Sequence, residues 1–318
     1  MKKNLLFSIV SLTALMFLIV GCNTQTEEVS SEETSNQESE EAEEAIYPRT
    51  VTHTNGEITL EQQPEKIVAI NEHIIDVLVM LGHPPIASEA IEEVSNSTIM
   101  DPYLEGQDII DLGNRLNLET LLDMESDLAI LTTDKINELE QIEPLAPTAV
   151  IEWGTDYPSS IRKIAELIGE EAKAEEIITD YETKVAETKK VIGSEFDETV
   201  LVLRANGKNF TAISTEDFSL LYEELGFSPV ADIEYGGELT IEGVSAANAD
   251  HIIIAEWARN SDPENPNSLI NMWHDNSVWQ SLEPVKNDNV YVMDKLFIEP
   301  VFSSQFEILE LAEEIATK

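Results

Sequence analysis

The chain has 318 residues, 63 of them Asp or Glu against 18 Lys or Arg, so its formal net charge is −45 and its pI near 4.1. That balance excludes nucleic acid as a partner and any electrostatic hold on anionic lipid, and it points to a saline or alkaline solvent. A single cysteine excludes a disulfide framework.

Lys2 and Lys3 precede the apolar run LLFSIVSLTALMFLIV, which ends at Gly21 and Cys22. A basic start and a run too short for a permanent span make residues 1–21 a secretory signal peptide. The small residue before a lone cysteine resembles the lipobox of bacterial lipoproteins. That resemblance implies that Cys22 is diacylated and becomes the new N-terminus, although Ile19 stands where leucine is usual. Residues 22–46 then form an acidic linker: from Asn23 to Ala45 it has nine glutamates, no basic residue and no apolar side chain larger than one valine. Such a stretch cannot bury a core and is expected to be an extended, disordered tether. Without the leader's two lysines and the tether's nine glutamates, the remaining chain still carries −38.

From Tyr47 the pattern becomes that of a folded domain. RTVTHTNGEITL places two alternating stretches around Asn55-Gly56, a hairpin signal. PEKIVAIN gives a buried strand over 66–70, HIIDVLVML a helix stopping at Gly82, and HPPIAS the start of another strand. Further strands are expected near 128–131 and 148–152. Strands alternating with helices build a parallel sheet covered on both faces.

EEAKAEEIITDYETKVAETKKVI, Glu170 to Ile192, reads as one uninterrupted helix. Ala174, Ile177, Ile178, Tyr181, Val185 and Ile192 fall at helical spacing, glutamates crowd the first half, lysines the second, and Gly193 follows. At 1.5 Å per residue it is roughly 33 Å long, enough to cross a small domain. Similar sequence lies on either side of it. LGHPPIA (81–87) is answered by LGFSPVA (225–231), and LNLETLLDMESDLAIL by ELTIEGVSAANADHIII. Glu119 precedes Asp127 by the same interval as Glu242 precedes Asp250. The order of both matches predicts two related α/β lobes, 47–169 and 194–318, joined by a helical rod over 170–193. Each lobe is expected to be Rossmann-like, a parallel sheet flanked by helices.

Ligands of open parallel sheets lie beyond the carboxyl ends of the strands. That rule nominates Asn71, Trp153, Arg204, Trp257 and Phe297, with Glu72, Thr132 and Thr133 beside them. Aromatics with an arginine suit a bulky ligand with flat faces and anionic oxygens. The aromatics are equally natural as core, and Arg204 as the partner of an acidic neighbour. His53, His73, His83, His251 and His274 show no metal-ligand spacing and read as structural. No G-x-S-x-G, S-x-x-K or H-E-x-x-H motif and no phosphate-cradling glycine loop supports an enzyme.

From Tyr47 to its end the chain resembles the substrate-binding lipoproteins of ABC importers for ferric siderophores, a class that includes cobalamin and haem binders. YPRTVTHTNGEITLEQQPEKIVAINE, LGNRLNLETLLDMESDLAIL, LAPTAVIEW, LTIEGVSAANADHIII and SLEPVKNDNVYVMD carry the likeness. It implies a rigid two-lobe monomer, lipid-anchored on the outer face of a Gram-positive cell membrane, that delivers its ligand to a permease dimer driven by a cytoplasmic ATPase. Glu119 in NLET and Glu242 in TIEG match the motif glutamates, one per lobe, that dock on permease arginines. Ser126 stands where the family often has proline. Arg204 sits where relatives commonly place a cationic cleft residue, with Arg115 and Arg259 as further candidates and Trp153 and Trp257 available to stack. The iron would arrive chelated, with no intrinsic cofactor and no direct metal ligand. The acidic surface favours a hydroxamate or citrate-hydroxamate over a tris-catecholate. Cobalamin or haem is the alternative ligand.

Overall fold

The computed structural model describes residues 47–113, 116–154, 156–206, 209–256, 273, 275–298 and 301–318. The leader, Cys22 and the tether therefore lie outside the described residues, as do Arg115, Trp257 and Arg259. Among the described residues no helix is long and apolar enough to cross a membrane.

Strands β1 (Arg49–His53) and β2 (Gly56–Leu60) form the expected hairpin. The register pairs His53 with Gly56, so the loop is Thr54-Asn55, one position earlier than the Asn-Gly signal implies. Gly56 opens β2 at φ +142°, a conformation that a side chain would strain. The hairpin docks on the first lobe through the Thr54 N–H, which donates to the Val150 carbonyl at 2.9 Å.

The first lobe holds a five-stranded, all-parallel sheet in the order β5-β4-β3-β6-β7, with β3 at Ile67–Ile70, β4 at Ala87–Ser88, β5 at Ile110–Asp111, β6 at Leu128–Thr132 and β7 at Thr148–Ile151. Alternate residues of β3 and β6 enter separate apolar clusters, Ile67, Ala69, Leu128 and Ile130 in one and Val68, Ile70, Ala129 and Leu131 in the other. Burial on both faces is why these strands read as continuous apolar runs without alternation.

In the second lobe, β8 (Thr199–Asn206) lies between β12 (His251–Glu256) and two short partners, with β13 (Val290–Asp294) beyond β12. β10 (Ser228–Pro229) pairs with the start of β8 as β4 pairs with β3. The pairings of β10, β8, β12 and β13 are parallel as expected, and two further strands are not. β9 (Asn209–Ala212) pairs antiparallel with the end of β8, and β11 (Glu238–Leu239) antiparallel with β9. The sheet is mixed because β8 continues past the shared core and folds back on itself.

The duplication seen in sequence extends to the backbone. Gly82 and Gly226 have φ of 84° and 82°, and Glu125 and Asn248, each two residues before the matched aspartate, have 47° and 49°. Asp127 Oδ2 accepts from the Glu65 and Lys66 N–H groups, both at 3.0 Å. Asp250 Oδ2 accepts from the N–H and hydroxyl of Thr199 at 2.8 and 2.7 Å. Each aspartate clasps the entry to its lobe's central strand.

The connecting helix runs Glu171–Ile192, between Glu170 and Gly193 as expected. Ala174 and Ile178 are buried in the first lobe's core, and Val185 and Ile192 in the second's. Tyr181 packs on both. A second element spans the same boundary, which the expectation of one rod does not include. The C-terminal helix (Phe302–Thr317) begins with Phe302 in the first lobe's core and continues with Ile308, Leu309 and Ile315 in the second's. It lies along the connecting helix. Tyr181 meets Phe302 edge-on at 5.1 Å, and Glu313 Oε1 accepts from Lys184 Nζ at 2.8 Å and the Thr188 hydroxyl at 2.6 Å.

Candidate functional site

Glu119 and Glu242 occupy equivalent places in the two lobes. The helix Leu118–Asp123 is capped by Asn117, whose Oδ1 accepts from the Thr120 N–H at 3.1 Å. The helix Ile241–Ala247 is capped by Thr240, whose Oγ1 accepts from the Gly243 N–H at 3.3 Å. Each glutamate is the second residue of its helix and exposed. The cap, not the glutamate, satisfies the orphan N–H, so both carboxylates remain directed to solvent while the positive helix end favours their charge.

The carboxyl edge of the first sheet gathers aromatic and charged side chains around Trp153, which is expected to meet a ligand. Trp153, just after β7, is half-buried and stacks on His73, with ring centroids 4.7 Å apart and planes within 12°. Tyr157 meets Trp153 edge-on, with ring centroids 5.6 Å apart. Burial lowers the pKa of His73 to about 4, so its imidazole is neutral at pH 7. Its Nδ1 is buried without a hydrogen-bond partner among the described residues. Beyond β6, Lys135 pairs with Glu89, which is only 5% exposed, and lies 4.0 Å from Glu138. Burial and the neighbouring Glu89 charge raise the Glu138 pKa.

Across the boundary, Arg204 lies near the carboxyl end of β8, paired in register with Ala255, and is half-buried. A recess of about 470 Å³ opens between Tyr157 of the first lobe, Tyr181 and Lys189 of the connecting helix, and Phe218 of the second lobe, with Gln305 of the C-terminal helix beside them. The Trp153–Tyr157 contact joins its wall to the carboxyl edge. Burial pushes the Tyr181 hydroxyl up to about 12 and Tyr157 still further, so both are neutral donors.

Two expected ligand residues are corrected. Phe297 is fully buried and packs on Phe218 at 5.3 Å, because the chain after β13 turns inward as a short 3-10 segment, Lys295–Phe297. Asn71 is 3% exposed and its side chain caps the helix Glu72–Met80, accepting from the His73 N–H at 2.7 Å. The sequence reading passes over His73, Glu89, Lys135 and Tyr157 as components of this edge. The strand-end rule reaches as far as Thr133, and Lys135 lies two residues beyond it. Among the described residues no group of three or more His, Cys, Asp or Glu is placed to hold a metal ion.

Comparison with known proteins follows the same lines. The chain is 25% identical over 312 residues to the probable siderophore-binding lipoprotein YfiY of Bacillus subtilis, covering 92% of this chain and 91% of that protein. It is 23% identical over 266 residues to the iron(3+)-hydroxamate-binding protein FhuD of the same organism, covering 78% and 80%. In three dimensions it is similar to the iron-uptake system-binding protein FeuA from Bacillus subtilis, with a TM-score of 0.70 and 22% identity over 84% of this chain and all of that one. The profile of the periplasmic binding protein family Peripla_BP_2 matches residues 67–296. The chain belongs to that family.

Proposed function

We propose that this protein is the extracytoplasmic substrate-binding component of an ABC importer for iron, capturing a ferric siderophore between its lobes and presenting it to a permease. The observation that carries the reading is the duplicated helix start, in which Glu119 and Glu242 have the same helical position, capping geometry and exposure in the two lobes. A pair of matched, solvent-directed carboxylates suits a partner that is itself two-fold and offers basic side chains. Membership of a binding-protein family and the names of the relatives support the ligand class, and neither favours an enzyme.

The described residues at the carboxyl edge favour a ferric complex without net negative charge. Glu72, Asp134, Glu138 and Glu152 stand there with Lys135, whose charge is already met by Glu89. A tris-hydroxamate of ferric iron is neutral, whereas a tris-catecholate is multiply anionic. The reading is thus a hydroxamate first, with a citrate-hydroxamate, still less anionic than a tris-catecholate, beside it; either is held by Arg204 with Trp153 stacked on it, and by Arg115, Trp257 and Arg259 where they reach the cleft. Lipidation of Cys22 holds the monomer to the outer membrane face. Cobalamin or haem is the second reading, from the breadth of ligands in this importer class.

Native mass spectrometry with ferric hydroxamates, citrate-hydroxamates, catecholates, cobalamin and haem tests the ligand. Retention of a ferric hydroxamate-type complex is expected, and retention of cobalamin or haem alone overturns it. For docking, the Glu119→Ala, Glu242→Ala double variant is expected to bind the ligand as the parent does yet support under a tenth of its uptake. Unimpaired uptake would remove the two carboxylates from the docking role.

A further inference from the structure

Among the hydrogen bonds that the described residues make across the boundary between the lobes, two are accepted by buried carboxylates, one from each side. Asp76, on the helix Glu72–Met80 of the first lobe, is fully buried, and its Oδ2 accepts from the Ser303 N–H at 3.1 Å. Ser303 is the second residue of the C-terminal helix, and the N-cap of that helix is Val301, which has no side-chain acceptor. The first lobe therefore supplies the cap that the helix lacks. Conversely Asp294, at the end of β13 in the second lobe and 6% exposed, accepts at Oδ2 from the Thr98 N–H of the first lobe at 3.0 Å, while its Oδ1 accepts from the Leu296 N–H at 3.0 Å.

Both bonds flank a segment whose described side chains are shared between the two cores. Leu296, Val301 and Phe302 pack in the first lobe's cluster, Phe297 and Ile298 in the second's. Apolar packing alone tolerates sliding, because it has no preferred direction. A carboxylate that accepts from backbone N–H groups at fixed places in the opposite lobe does not. Asp76 is moreover an expensive way to fill the space, since its Oδ1 has no partner among the described residues. An apolar side chain there would remove that cost but leave Ser303 uncapped.

We propose that Asp76 and Asp294 are positioning residues that lock the lobes in one relative orientation, so that the cleft is set before a ligand arrives and the connecting helix is not a free hinge. This is independent of which ligand is bound. The rod supplies spacing between the lobes, and the two carboxylates supply the angle.

The test is the distribution of distances between spin labels at exposed Glu105 and Glu234, read by pulsed electron resonance in protein carrying Cys22→Ser. The parent is expected to give one narrow distribution. Asp76→Ala and Asp294→Ala should each broaden it, and the double variant more than either. Asp76→Asn keeps an acceptor for the Ser303 N–H and is expected to restore the narrow distribution, which a loss of bulk stability would not explain. A parent-like width in the double variant, or an Asp76→Asn distribution as broad as that of Asp76→Ala, overturns the lock. Should Asp76→Ala not fold, Asp294→Ala and Asp76→Asn decide the matter alone.

Discussion

At the level of single side chains, the buried carboxylate of Asp76 has a measurable signature. Burial pushes its pKa from 3.8 to about 6, against hydrogen bonds from Ser303 and Phe302 that pull it down. The folded protein then holds a proton on this group over a range where the unfolded chain has lost it. Its effect is that stability falls as pH rises from about 4 to about 6, by roughly 3 kcal/mol at full effect, and stays at the lower level above. Asp76→Asn abolishes that titration. The difference in unfolding free energy between variant and parent, from urea titrations at pH 4 to 7.5, should grow in favour of the variant through this window and then level off. Tyr103 and Tyr157, the neighbours whose own values rise partly through the Asp76 charge, titrate far above it and do not contribute to the slope. Of the ligand candidates, the sequence makes the placement of Trp153 and Arg204 legible, because both stand near strand ends. It misplaces Phe297, since no periodicity within a strand foretells whether the residues that follow turn toward the cleft or the core. His73 is missed for a related reason: its stacking on Trp153 joins the residues after β3 to those after β7, strands that are not neighbours in the sheet.

Among the elements, the rod is the most legible, because 22 residues of helical period, ordered charge and a terminal glycine all agree. The repeat is legible through its spacing, and the structure supplies the reason for that spacing. Capped helix, left-handed residue and clasping aspartate form one module, used twice. Asn117→Ala and Thr240→Ala should therefore cost similar amounts, about 1 kcal/mol each by chemical denaturation, with ligand affinity unchanged. A much larger loss in one would mean that the two modules are not equivalent in energy. The antiparallel turn of β9 has a cue in Asn206-Gly207, the same dipeptide that signals the first hairpin. The second strut has none. FSSQFEILELAEEIAT shows an apolar stripe, but a stripe does not name the lobe it will cover, and here it covers both.

For the molecule as a whole, charge is the property that composition fixes most firmly and that neither fold nor family requires. With −38 on residues 47–318, like charges repel at every scale shorter than the screening length, about 10 Å at 0.1 M salt and about 30 Å at 0.01 M. Raising salt between those limits should increase thermal stability, and a gain on the order of 1 kcal/mol corresponds to roughly 2–4 °C. The same field acts on an approaching ligand and separates the siderophore classes. A neutral ferric hydroxamate feels no long-range force, so its association rate, followed by stopped-flow quenching of tryptophan fluorescence, is expected to be flat with salt. An anionic ferric catecholate is repelled at a distance, and its rate should climb severalfold as salt screens the repulsion. A native ligand whose association is slowest at low salt would contradict the preference for a neutral complex. It would also require that Arg204 and the arginines at 115 and 259 form a local positive field strong enough to hold an anion against the charge of the whole.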